Sequence, residues 1–428
     1  MSMLRSCVLR RYNNCVFLLL AVQSSSPNLD RILANPKLDG SVVAAIVTDL
    51  DGKILYRHNA ETHMVPASNQ KLLSNSFALW ALGPDYRPKT SFWKLEDRVV
   101  IDSPGDPLMT YSQLRKAKAT LGITTAKPVF LRQAYSPEIP DSWEIDDLPN
   151  RFSAAVTALT FDRGGFEAWV KKGRVTLEPE AFGVRTQTTG GTDKTLLQYD
   201  PITRNLRVSG SLPKKDQLLD TLAMPKPDVA AASIFGSNPE PTLQLPDRSP
   251  DLIITGSTTQ EMVSQCLPPS DNNIAENLLL MGARVEGELG SNPYLLARRR
   301  LENFLTRIVG VDRADIHPFD GSGLSRHNYV TVRAIAKILC WENAQPTSAF
   351  WHGALAHPGT GTLSNRLKGL TFQGKTGSLD MVAALSGYLT TKSGKTVVVS
   401  VIANEFGCPP ADVRAIADEF VNAVAEDR

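Results

Sequence analysis

The chain has 428 residues, of which 42% are hydrophobic and 21% charged, enough to bury a large core divided between two or three domains. Its 46 basic and 44 acidic side chains are intermixed and leave a net charge of +2, so no basic face for nucleic acid is advertised. None of the six histidines forms a His-x-x-x-His pair beside an acid and the cysteines lack metal spacing, which argues against a zinc hydrolase and leaves no metal site to assign.

Residues 1–26 differ from the rest. Arg5, Arg10 and Arg11 come without an acid, then Cys15 to Val22 is apolar, then Gln23 and three serines follow. This pattern predicts a signal or targeting peptide whose apolar run is too short to span a bilayer, so the mature chain is expected outside the cytoplasm, in a periplasmic or cell-wall compartment, without a stable membrane span. An acid-free leader with Arg and Ser also leaves organelle targeting open. Cys266, Cys340 and Cys408 remain in the mature chain and cannot all pair.

A hairpin is predicted next, from Val42–Thr48, a turn at Asp51-Gly52, and Lys53–His58. Pro66 keeps Val65 extended, Ser68 is placed at a helix cap, and "KLLSNSFALWAL" gives a helix apolar on a broad surface, ended by Gly83. Residues 86–254 are richer in proline, with short strand-like runs such as "GRVTLEPE" and "NLRVSGSL". They read as a β-rich insertion into an α/β (α+β) domain whose two parts are 27–85 and 255–428. Helices are expected at Asn273–Val285, Leu295–Val309 and Thr331–Trp341. A second hairpin, Ala383–Thr390 with Thr396–Ala403, and a helix from Pro410 to Val424 complete the chain.

Ser-x-x-Lys occurs three times, at Ser68/Lys71, Ser91/Lys94 and Ser211/Lys214. Pro213 spoils a helical turn at the third, and the second lies in a predicted strand, where residues three apart face opposite sides. Only Ser68 begins a helix, which brings Lys71 under its hydroxyl. A serine needs a base, and a lysine serves if burial and a second cation lower its pKa. Downstream, Ser270-Asp271-Asn272 opens a helix and Lys375-Thr376-Gly377 starts a strand whose glycine admits a substrate backbone. Lys392-Ser393-Gly394 also fits the last pattern but sits in a predicted turn.

Ser68-x-x-Lys71, Ser270-Asp271-Asn272 and Lys375-Thr376-Gly377 resemble, in order, the triple signature of penicillin-binding proteins and serine β-lactamases. The long gap between the first two resembles the D-alanyl-D-alanine carboxypeptidase/endopeptidase family of penicillin-binding protein 4, also called DacB or peptidase S13. "SPGDP" at 103–107, the run 139–163, "DGSGLSRHNYVT" at 320–331 and "HPGTGTLSNRL" at 357–367 extend the resemblance over nearly all of the chain after the leader. "TFDRGG" lacks the asparagine usually found after that segment.

The resemblance implies a transpeptidase-like domain with a central antiparallel sheet flanked by helices. It also implies cleavage of D-Ala-D-Ala peptidoglycan stem peptides through an acyl-serine, with β-lactams as covalent inhibitors and no cofactor. Ser68 would be the nucleophile, Lys71 its base and Ser270 a proton relay. Lys375 would set the charge of the network, and Asn272 would bind the substrate amide. Thr376, Gly377 and Ser378 would contact the substrate on the strand, and Asp147 would meet the free amino end of the stem peptide. Two alternatives remain: a serine β-lactamase, whose Glu-x-x-x-Asn pattern Glu288 and Asn292 match by coincidence only eighteen positions after Ser270, and a non-catalytic peptidoglycan- or penicillin-binding protein.

Overall fold

The computed structural model describes residues 26–135, 139–179 and 183–427. The predicted leader therefore lies outside the described residues, except for Ser26. The first described elements are α1 (Pro27–Leu33), β1 (Val42–Asp49) and β2 (Ile54–His58). A 3-10 turn over Ala67–Asn69 then leads into α2 (Gln70–Leu82). Gly83, at φ 81°, ends α2 with its N–H on the Leu79 carbonyl.

Residues 89–255 supply β3 (Lys89–Lys94), β4 (Val99–Ser103), α3 (Tyr111–Thr120), β5 (Lys127–Gln133), β6 (Gly165–Lys171) and β7 (Arg174–Glu178). They continue with β8 (Arg185–Gly190), β9 (Leu196–Asp200), β10 (Asn205–Gly210), β11 (Gln217–Ala223), α4 (Pro227–Ser233), β12 (Gly236–Pro241) and β13 (Leu252–Thr255). Among the described residues these strands form sheets of order β12-β5-β4-β3-β13, β11-β6-β7 and β8-β10-β9. Their own apolar cluster includes Phe92, Ile101, Leu131, Phe161, Phe166 and Phe235. Helices α3 and α4 were not anticipated. The capping box of Thr110 with Gln113 that starts α3 is a signal the sequence offered.

The chain then returns through α5 (Thr259–Cys266), α6 (Asn272–Arg284), α7 (Pro293–Asn303), β14 (Ile316–His317), β15 (Tyr329–Val330), α8 (Val332–Asn343) and α9 (Ser348–Ala354). It closes with β16 (Thr371–Leu379), β17 (Val382–Thr390), β18 (Thr396–Asn404) and α10 (Pro410–Asp427). The predicted helix ending at Val309 is α only to Asn303, and Phe304–Ile308 widens into a π turn.

The central sheet has the order β16-β17-β18-β1-β2 and is antiparallel throughout. Strand alternation divides its side chains between two layers. Ala44, Ile46, Tyr388, Val398 and Ile402 face a core built on α2, α6 and α8. Val43, Ala45, Val47, Leu385, Val399 and Val401 face α1 and α10. Helix α2 is buried from Gln70 through Leu79: Leu72, Leu73, Phe77, Ala78 and Leu79 join the apolar core, while the buried Gln70, Lys71 and Ser74 make hydrogen bonds to other elements, as buried polar groups must.

The two helices that carry the serine motifs meet where Gly282 of α6 lies against Ala78 and the Phe77 ring of α2; a Cβ on Gly282 would stand 3.3 Å from each. Phe77 also packs against Phe304, with ring centroids 5.7 Å apart. Phe77→Ala is expected to lower the unfolding free energy of this core by about 3–5 kcal/mol. Urea denaturation followed by tryptophan fluorescence measures it, and an unchanged midpoint would refute the packing role.

Candidate active site

The turn before α2 sets the position of Ser68. Ala67 has φ 46°, so the chain reverses there and enters a 3-10 turn. Ser68 lies inside that turn, and no side-chain cap is formed at the start of α2, which corrects the expectation of a capping serine. The three-residue spacing to Lys71 still brings the groups together, with Nζ 3.0 Å from Ser68 Oγ.

Lys71 is fully buried. Its Nζ also donates to Asn272 Oδ1 at 2.6 Å and to the Ser322 carbonyl at 2.7 Å, so all three ammonium protons have acceptors. Burial lowers its pKa from the usual 10.5, opposed by the neighbouring ionisable groups of Cys266, Asp320, Glu276 and Asp271. The loop that presents the Ser322 carbonyl is held in turn by Glu276, whose carboxylate accepts the N–H groups of Gly321 (2.9 Å) and Ser322 (2.8 Å). Burial, then the charge of Asp320, raises the pKa of Glu276 above the usual carboxylate range.

Ser270, at φ 65°, precedes the α6 cap residue Asp271, whose side chain accepts from Ile274 N–H. The turn sends its side chains in different directions. Ser270 Oγ accepts from Lys375 Nζ at 2.8 Å, and Asn272 accepts from Lys71. Lys375 is also fully buried, and its Nζ donates to the Thr376 carbonyl at 2.8 Å. Its pKa is held well below the ordinary lysine value, first by burial and then by the Lys71 cation.

Lys375-Thr376-Gly377 lies in the middle of β16, where a strand start was expected. The strand begins earlier because β16 pairs with β17 over its whole length, from Thr371 opposite Thr390, and on its outer edge Gly374 exchanges two backbone hydrogen bonds with Ala356 (2.8 and 3.1 Å). The Thr376 hydroxyl donates to Thr362 Oγ1 at 2.7 Å, and Ser378 is exposed. A Cβ on Gly377 would lie 2.7 Å from the Pro66 carbonyl oxygen and 3.2 Å from Ala67 Cβ. The glycine thus lets β16 close against the turn that carries Ser68.

Asp147 ends the 3-10 turn Ile145–Asp147. Its carboxyl pKa is raised, first by burial and then by Glu144 and Asp380. It therefore stands near the end of β16, where Arg326 joins Glu144 (2.8 Å) to the Asp380 carbonyl (3.0 Å). The competing motifs lie elsewhere. Ser91 is in β3, Ser211 follows β10, and Lys392–Gly394 are in the β17–β18 turn. Helix α6 ends at Arg284, before Gly290, and Glu288 is an exposed partner of Arg284 at 3.1 Å. Helix α6 thus separates it from Asn272 by roughly 18 Å.

The reading from sequence missed Ser322, Glu276 and Thr362. Two of the segments already singled out, 320–331 and 357–367, contain Ser322 and Thr362. Glu276 gave no local signal, since a glutamate inside a helix is ordinarily a surface residue.

A helix headed by Ser-x-x-Lys, packed beside an antiparallel edge strand bearing Lys-Thr-Gly, defines the class of penicillin-interacting serine hydrolases. The chain belongs to the D-Ala-D-Ala carboxypeptidase 3 (S13) family, whose sequence model matches residues 25–426. It is a serine-type D-Ala-D-Ala carboxypeptidase. It is 27% identical to a D-alanyl-D-alanine carboxypeptidase of Actinomadura sp. (strain R39) over 460 residues, covering 93% of this chain and 84% of that one. In fold it is similar to penicillin binding protein 4 (dacB) of Haemophilus influenzae, with a TM-score of 0.78, 22% identity and 93% and 99% of the two chains covered. It is also similar to a predatory peptidoglycan endopeptidase of Bdellovibrio bacteriovorus, with a TM-score of 0.51, 14% identity and coverage of 90% and 92%.

Gly377→Ala is expected to push β16 away from Ser68 while the fold survives. Acylation by a penicillin should slow by about 10²-fold, as for other displacements near 1 Å, with circular dichroism unchanged. A wild-type acylation rate in this variant would show that the close approach is dispensable.

Proposed function

We propose that Ser68 is the nucleophile of this carboxypeptidase and Lys71 its general base. The observation that carries the proposal is the double contact of Lys71 Nζ, to Ser68 Oγ on one side and Asn272 Oδ1 on the other. A neutral amine has one lone pair and two protons. With the protons on Asn272 and the Ser322 carbonyl, the lone pair faces the serine hydroxyl and takes its proton as Oγ attacks the carbonyl of the penultimate D-alanine. Proton return through Ser270, held by Lys375, lets the C–N bond break and D-alanine leave. Water then hydrolyses the ester, so the net reaction consumes one water.

The N–H groups of Ser68 and Ser378 are proposed as the oxyanion hole. Gly374 turns its backbone groups to the outer edge, where they meet Ala356, and strand period two turns Ser378 N–H the same way. One such donor is typically worth about 3 kcal/mol in the transition state. Gly377 lets the extended substrate lie along this edge, with Thr376 and Ser378 hydroxyls on its terminal carboxylate and Asn272 on its amide. Asp147, among Glu144 and Asp380, suits the free amino end of a stem peptide.

Peptidoglycan stem peptides are the proposed substrates, with cleavage of cross-links as a second reaction of the same residues and β-lactams as acylating inhibitors. The H. influenzae protein is also known complexed with a β-lactam. The distance of Glu288 from Asn272 favours slow release of penicillin over β-lactamase turnover. The five polar groups joined around two buried lysines favour catalysis over a purely binding role. We also propose export of the mature chain, and its division into a catalytic domain of 27–85 and 255–428 with an inserted β-rich domain of 86–254.

A fluorescent penicillin should label the wild type for minutes or longer and leave Ser68→Ala unlabelled on a denaturing gel. Undiminished labelling of the variant would falsify the nucleophile assignment. Incubation with linear and cross-linked muropeptides, read by mass, separates carboxypeptidase from endopeptidase products.

Because Lys71 must be neutral to act and its pKa is lowered, acylation should rise with pH along a limb whose midpoint lies below 10.5. Lys71→Arg, which stays charged, should not acylate at any pH. A midpoint at or above the ordinary lysine value would count against Lys71 as base.

A further inference from the structure

The segment 150–165, far from the motifs in sequence, reaches the Ser270-Asp271-Asn272 turn at three points. Arg151 Nη1 lies 2.9 Å from Asp271 Oδ2, and Arg163 Nη1 lies 3.2 Å from the same oxygen. The Asp271 side chain is 1% exposed, against 31% and 30% for the two arginines. The Phe152 carbonyl accepts from Asn272 Nδ2 at 2.9 Å. That last bond sets which way the Asn272 amide faces. With Nδ2 on Phe152, Oδ1 must face Lys71, and the second Nδ2 proton is left for substrate.

The backbone is bent to make these contacts. Asp162 and Arg163 have φ of 47° and 59°, a left-handed conformation that is unfavourable for a residue other than glycine. A Cβ on Gly165 would stand 2.5 Å from Arg151 Cγ, so that glycine makes room for the arginine. Arg163 Nη2 is also held by Gln265 Oε1 of α5 at 3.1 Å.

We propose that Arg151 and Arg163 are positioning residues of the reaction: by neutralising the buried Asp271 carboxylate they fix the Ser270–Asn272 turn and keep the charge around Lys71 permissive for its neutral form. The inserted segment is therefore part of the acylation machinery. The proposal rests on the roles of Ser68, Lys71 and Asn272 given above. The groups facing Lys71 are Asp271 at the cap of α6, Glu276 of α6, Cys266 of α5, Asp320 of the 320–331 loop and Lys375 of β16. Cys266 is a neutral thiol with its pKa pushed up to about 12. Without the arginines the Asp271 anion is uncompensated and favours the Lys71 ammonium ion.

The test is the second-order rate constant for acylation by benzylpenicillin, measured from pH 5 to pH 10 on the full chain. The variants are Arg151→Ala, Arg163→Ala, their double, and the double combined with Asp271→Asn. The double arginine variant should acylate about 10²-fold more slowly at neutral pH, with the acid limb of its profile displaced to higher pH. Adding Asp271→Asn should return the limb toward its wild-type position, and Arg151→Lys, which keeps the charge, should leave the limb in place. A slower rate with the limb unmoved is what loosened packing alone produces and overturns the proposal, as does a wild-type profile in the double variant. If the double variant does not fold, each single variant carries the same test with a smaller shift. Failure of the underlying reading looks different: Ser68→Ala would then still be acylated.

Discussion

Two buried lysines in one site cannot both remain ammonium ions without a dense set of acceptors, and this constraint organises the rest of the structure. Removing a charge from water is expensive, and a second like charge nearby adds to the cost. The protein answers with one acceptor for each Lys71 proton and with two for Lys375. One of them, the Ser322 carbonyl, needs a carboxylate of its own to hold its loop. The same low-dielectric surroundings that disfavour the ions make a neutral amine available to the serine.

Much of this was legible in the sequence because its signals are local. Two hairpins and five helices follow from alternation and helical period, and their predicted ends mostly fall within a residue or two of those observed. The three motifs could be ranked because Pro213 and the strand at Ser91 each forbid the geometry that the helix at Ser68 permits. Position within an element was harder. Ser68 falls inside a 3-10 turn because Ala67 reverses the chain, and Lys375 falls mid-strand because β16 already pairs with β17 from Thr371 on.

The rest was not legible for a physical reason. Ser322 acts through its carbonyl, and a carbonyl has no letter of its own. Glu276 differs from a surface glutamate only in what packs around it. Arg151 and Arg163 meet Asp271 because Gly165 leaves space and two residues adopt left-handed backbone, features that become meaningful only once distant segments are in place. The family resemblance recovered the motifs and many of the flanking segments, but it did not say which residues hold the motif residues still.

The central sheet has one more consequence, for the order in which the protein comes into being. Strand β1 pairs along its full length with β18, so strands from opposite ends of the chain are neighbours. During synthesis β1, β2 and α2 emerge early, and β1 has no partner on its other side until the last hairpin is made. Such long-range pairing is slow, and the waiting strands expose an edge to other chains. Ser68 and Lys71 are translated early, but Asn272 and Ser322, which hold Lys71, follow 201 and 251 residues later, and β16 later still. An unfinished or C-terminally truncated chain therefore carries the serine without the surroundings that make it reactive, and acylating power arrives only with the completed polypeptide.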